Sequence, residues 1–193
     1  PYDKTVVPSS PSGGPVTVSL ALNLYHMYGL DMRRATVSIH LWLRMSWVDP
    51  RLSWEPSDWG GVQSLTFIAS PASIEESQIW TPEVELYQAE RSTYAMAQKE
   101  VIVFANGTTF WSRPGEVPSL CELDGLHDFP FDRVMCKLRF GGWSLPGSLQ
   151  NVTADPVKPL DDKLTHKATY QEYRVVDGSV TRGVDTFGCC PDP

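Results

Sequence analysis

From position 16 to 24 apolar residues alternate with small or polar ones, Val16, Val18, Leu20, Leu22 and Leu24 against Thr17, Ser19, Ala21 and Asn23. A period of two predicts a half-buried strand, because successive side chains of an extended chain point to opposite sides. The same period resumes at Ala35. Ala35, Val37, Ile39, Leu41, Leu43, Met45 and Trp47 form the inward set, and Thr36, Ser38, His40, Trp42, Arg44 and Ser46 the outward one. Trp47 therefore reads as core. Trp42 falls on the polar face, where a large indole either marks a place for something else to dock or is buried by a bulge that shifts the register.

Shorter β-prone runs follow at 64–68, 101–104 and 108–112. The last two flank Ala105-Asn106-Gly107, whose Asn-Gly step suits a hairpin turn. With Trp111 as core, Phe110 projects outward. In the segment 79–87 Pro82 bars a helix and points to a loop leading into Tyr87. After Cys136, Leu138 and Phe140 alternate with Lys137 and Arg139 and predict a strand that delivers the turn Gly141-Gly142-Trp143. Another strand is expected at 173–176, entering a hairpin whose tip carries Phe187. Residues 1–15 read as an irregular lead-in and 151–168 as a polar loop. With neither a helical period of useful length nor an internal repeat, the fold class is all-β, an antiparallel sandwich.

Composition narrows the function. A chain of 193 residues, 41% of them hydrophobic, suits one domain over 1–193 with a proper core. A net charge of −7 without a Lys/Arg run argues against nucleic acid and anionic membranes as partners. No apolar run is long enough to span a bilayer, so a membrane is expected only through segments not in this chain. Pro1 opens no signal peptide, as expected of a mature or excised segment.

The four histidines are scattered and no CxxC or HxxxH spacing occurs, so neither metal nor cofactor is expected. An enzyme finds little support either: there is no GxSxG, and the near Cys/His pair, Cys121 with His127, lies inside a cysteine-bounded loop. Trp47, Trp54 and Trp59 suggest a sugar-stacking platform, but strand parity buries Trp47.

Four cysteines allow three pairings. Cys121 and Cys136 enclose 14 residues, including Phe129-Pro130-Phe131-Asp132, and bonding them would stabilise the fold by about 3 kcal/mol. Cys189 and Cys190 are adjacent. The sequons at Asn106 and Asn151 could accept N-glycans and, with the cysteines, favour an extracellular address.

A cysteine-bounded loop with FPFD, then GGW and an adjacent cysteine pair, resembles the extracellular ligand-binding domain of Cys-loop receptors, in particular nicotinic α subunits and the soluble acetylcholine-binding proteins. The resemblance also runs through WVDPRLSWEPSDWGGV (47–62), IWTPEVELY (79–87) and WSRP (111–114). It implies an immunoglobulin-like sandwich of about ten strands, here without the family's N-terminal helix and last strand, assembled as a homo- or hetero-pentamer. Two disulfides are implied, Cys121–Cys136 and Cys189–Cys190, and an architectural role for Trp47, Asp49, Trp54 and Pro56. The implied ligand is a small cationic amine held between subunits, where ring faces attract the charge. One subunit supplies Tyr87, Trp143, Phe187 and the pair Cys189–Cys190, and its neighbour Trp42, Ile102, Thr108 and Phe110. This sequence departs from the pattern at Phe187, where nicotinic α subunits have tyrosine, and at Ser144-Leu145-Pro146, where they have a Tyr-Asp pair behind the tryptophan.

Overall fold

The computed structural model describes residues 1–70, 73–89, 96, 100–121, 134–158, 160, 169–170, 173–186 and 188. Ten strands are seen among them: β1 (Val16–Asp31), β2 (Thr36–Val48), β3 (Ser64–Ile68), β4 (Glu85–Leu86), β5 (Glu100–Phe104), β6 (Thr108–Leu120), β7 (Phe140–Gly141), β8 (Gln150–Ala154), β9 (Thr169–Tyr170) and β10 (Tyr173–Arg174). Six form one sheet in the order β3-β5-β6-β2-β1-β8, while β4 pairs with β7 and β9 with β10. The all-β sandwich expected from periodicity is the observed fold.

Strand β2 follows its alternation without a slip. Val37, Ile39, Leu41, Leu43, Met45 and Trp47 are all buried, and the residues between them are not. Ala35 sits outside the strand, in the turn from β1, with a left-handed φ of 52°. Trp47 meets Trp80 edge to face, with centroids 6.0 Å apart, which ties the large sheet to the segment leading into β4.

Several expected boundaries are corrected. Strand β1 runs on to Asp31, because register shifts between Leu24 and His26 and between Met27 and Gly29 let Met27 turn inward opposite Ile39. Strand β6 passes through Pro114 and Pro118 to Leu120. Cys121 N–H donates to Ala35 and Leu120 N–H to Gln88, so odd positions bond toward β2 and even positions away from it. The two prolines thus lack an N–H only on the side where β2 asks for none. Residues 151–154, expected in a loop, form β8 together with Gln150, and the strand pairs in parallel with β1 from Val16↔Gln150 to Leu20↔Ala154, so the large sheet is not purely antiparallel. The strand expected after Cys136 shrinks to Phe140–Gly141, and that at 173–176 to Tyr173–Arg174.

The corner after β2 is held by one carboxylate. Asp49 is fully buried and caps a short 3-10 helix, Pro50–Leu52, by accepting from the Arg51 backbone. It also accepts from the Arg51 guanidinium at 2.7 and 2.8 Å and from Tyr2 Oη at 2.9 Å. Tyr2 Oη in turn accepts from the Trp80 backbone N–H, pinning the lead-in to the core. Burial, partly offset by that backbone bond, pushes the Tyr2 phenol up to about 12. The β5–β6 turn packs on the same corner: Gly107 has φ 80°, and a Cβ there would lie 2.7 Å from Asp49 O. Only glycine fits.

Candidate functional site

One half of the expected site is built by loops. The segment before β4 buries Ile79, Trp80 and Val84, β4 itself buries Leu86, and the chain then emerges at Tyr87, which is 39% exposed. Tyr87 N–H donates to Arg139 O, continuing the β4–β7 pairing, and its hydroxyl donates to Gly142 O at 2.7 Å. A Cβ at Gly141 would collide with that hydroxyl. These contacts place Trp143, the next residue, edge to face with Tyr87, with centroids 6.2 Å apart and planes 67° apart. Trp143 is 78% exposed, unusual for an indole with no core to serve.

Glu83 is the residue that sequence reasoning missed here. Its carboxylate accepts from Ser144 N–H at 3.0 Å, Ser144 Oγ at 2.8 Å and Leu145 N–H at 3.1 Å, fixing the turn just beyond Trp143. Gln150 holds Glu83 in place, accepting from its backbone N–H and donating to its carbonyl. The available signal was position alone, an acid next to Pro82 and four residues before Tyr87.

Burial first, then the charges of Asp185 and Glu83, raises the Tyr87 phenol above its usual range. Asp185 lies two residues before Phe187, so the chain leading to the predicted hairpin tip comes within electrostatic reach of Tyr87. Phe187, Cys189 and Cys190 lie outside the described residues.

The other half is built by strands. Trp42, Ile102, Thr108 and Phe110 share the face of the large sheet that turns away from the core, as parity required. Phe110 pairs with Ile102 on one side and Ser46 on the other, Thr108 pairs with Val48, and Trp42 with Pro114. Two neighbours of Trp42 escaped the sequence reading. Tyr25 stacks on it with centroids 6.0 Å apart and planes 4° apart, and the Arg44 guanidinium carbon lies 5.4 Å from its ring centroid. Tyr25 could not be foreseen beside Trp42 without the β1 bulge; Arg44 was legible as the next outward position.

Among the described residues, Trp42 makes ring contacts with Tyr25 and Trp143 with Tyr87, and none joins the two groups. The Cys121–Cys136 disulfide is formed, with Cα atoms 5.0 Å apart, Cys121 buried and Cys136 exposed. Asn106 stands in the hairpin turn and accepts from Thr108 N–H; Asn151 lies in β8 and accepts from Arg182. Among the described residues no three metal-binding side chains converge, and no helix is long and apolar enough to cross a membrane.

An all-β sandwich with a cysteine-bounded loop and exposed aromatic groups on separate faces defines an extracellular ligand-binding domain of the Cys-loop receptor class. The chain belongs to the neurotransmitter-gated ion-channel ligand binding domain family, which it matches over residues 1–191. It is 28% identical over 193 residues to the human neuronal acetylcholine receptor subunit alpha-10, covering 100% of this chain and 40% of that one. It is also 28% identical over 200 residues to an acetylcholine receptor subunit alpha-like of Manduca sexta (100% and 37%) and 24% identical over 192 residues to human neuronal acetylcholine receptor subunit alpha-5 (98% and 38%). The chain thus spans about two fifths of the length of these curated relatives. The family is a class of channel domains and not an enzyme class.

Proposed function

We propose that residues 1–193 act as one ligand-binding domain in a pentamer of like subunits, holding a small cationic amine between neighbours. Tyr87 and Trp143, with Phe187 and a bonded Cys189–Cys190 pair at the hairpin tip, form the principal wall. Trp42, Ile102, Thr108 and Phe110 of the next copy form the complementary wall. The observation that carries this reading is Trp143 itself, mostly exposed yet fixed on Tyr87 and clamped from behind by Glu83. Exposed, rigid aromatic faces suit an ammonium group, which gains from the ring quadrupole while its substituents lose water. In a full-length receptor, binding here gates an ion channel; in a secreted homologue the same site only sequesters the amine. Asn106 and Asn151 serve as glycan acceptors, a role that a mobility shift on glycosidase treatment checks.

Titration calorimetry of the assembled protein with nicotine tests the site. Trp143→Ala and Trp42→Ala should each weaken binding by more than about tenfold while leaving the oligomer intact by sedimentation. Unchanged affinity in both variants would overturn the assignment. A sugar-stacking role is disfavoured by Trp47, which is 2% exposed and unavailable to a glycan.

A further inference from the structure

The surroundings of Trp42 differ on its two sides along β2. Toward the hairpin end stands Arg44, with its guanidinium near the indole, and beyond it Ser46 paired with Phe110. Toward the other end stands Tyr25, parallel to the indole and 52% exposed, with His40 5.8 Å from its ring. The β1 bulge creates this arrangement. Leu24 pairs with Leu41 and His26 with His40, so Tyr25 is the extra residue between them and is carried out of the ladder beside Trp42. Bulges often re-aim a side chain next to a site.

A guanidinium over the indole already uses the attraction that an incoming ammonium would seek there, and it repels that ammonium at close range. On the opposite side Tyr25 adds a second ring face with no positive charge of its own. Resting on the amine-site reading above, we propose that Tyr25 is a ligand-contacting and specificity-determining residue. The ammonium sits on the Tyr25 side of Trp42, in the step between the two parallel rings. Arg44 disfavours approach from the Phe110 side, so compact amines whose substituents fill that step are preferred.

Calorimetry with tetramethylammonium and with nicotine on the assembled protein decides the matter. Tyr25→Ala should weaken both by at least about tenfold, and so should Tyr25→Leu, which keeps an apolar neighbour for Trp42 but has no ring. Tyr25→Phe, which retains the quadrupole, should bind like the parent protein. Arg44→Gln should tighten tetramethylammonium. If Trp42→Ala and Trp143→Ala abolish binding while Tyr25→Ala and Tyr25→Leu leave it unchanged, this inference fails and the amine site stands. If the parent protein binds neither probe, the amine reading fails and takes the inference with it.

Discussion

Trp42 and Trp143 reach the surface by different physics. Trp42 is one tooth of an unbroken alternation in β2, set outward because Leu41 and Leu43 on either side are buried. Backbone pairing with β1 and β6 fixes it, and no nearby polar side chain is needed to keep its parity. Trp143 follows the two-residue strand β7, and its position depends on side chains distant in sequence, the Tyr87 hydroxyl on Gly142 and the Glu83 carboxylate on residues 144 and 145. The strand half of the proposed site should therefore be robust to loss of polar side chains, and the loop half should not.

The strongest disruption should come from the buried side of the strand half. Trp47→Ala, on the buried face of β2 toward the strand end from Trp42, should lose about 3–5 kcal/mol of stability, read as a drop in the midpoint of urea unfolding. A loss below about 1 kcal/mol would mean that the β2 frame does not hold Trp42. Next comes the loop half. Glu83→Ala leaves two backbone N–H groups and a hydroxyl without their acceptor and should cost about 1.5–3 kcal/mol. It should also weaken amine binding in calorimetry while leaving the stacking of Tyr25 on Trp42 untouched.

Smaller still is Tyr2→Phe, which deletes the hydroxyl between Asp49 and Trp80 at a cost of about 1–2 kcal/mol. The folded Tyr2 phenol is raised to about 12 from 10.0, so the stability it contributes is fully present below pH 10 and is lost as pH rises toward 12. Tyr2→Phe should flatten the alkaline limb of the stability curve over that window. At the bottom of the scale, Ser46→Ala, an outward β2 position near Trp42, should stay within about 0.5 kcal/mol by thermal unfolding. A larger effect would show that polar side chains support the strand half after all.

The same contrast explains what the sequence disclosed. The inward set of β2, the outward placement of Trp42 and Phe110 and the hairpin at Asn106-Gly107 all rest on nearest-neighbour alternation or local turn chemistry, so they were legible. Strand β8 was not: Gln150-Asn151-Val152-Thr153-Ala154 looks polar, and only parallel pairing to β1 makes it a strand. The Tyr25–Trp42 stack was hidden because a bulge is invisible to a period-two count. Glu83 and its partners lie some 60 residues apart, a pairing that no local pattern encodes. Strand β6 was expected only over 108–112; it continues through Pro114 and Pro118 because their ring nitrogens face away from β2.

The central claim is that the two halves come from different copies of the chain, and mixing crippled copies tests it most directly. Trp42→Ala subunits keep an intact Trp143 wall, and Trp143→Ala subunits keep an intact Trp42 wall. Neither should bind nicotine tightly alone. Co-assembled at equal amounts, they should recover parent-like affinity at about a quarter of the interfaces, as random mixing around a closed ring requires. Parent-like sites failing to reappear in mixed rings that sedimentation shows to be intact would contradict the shared site.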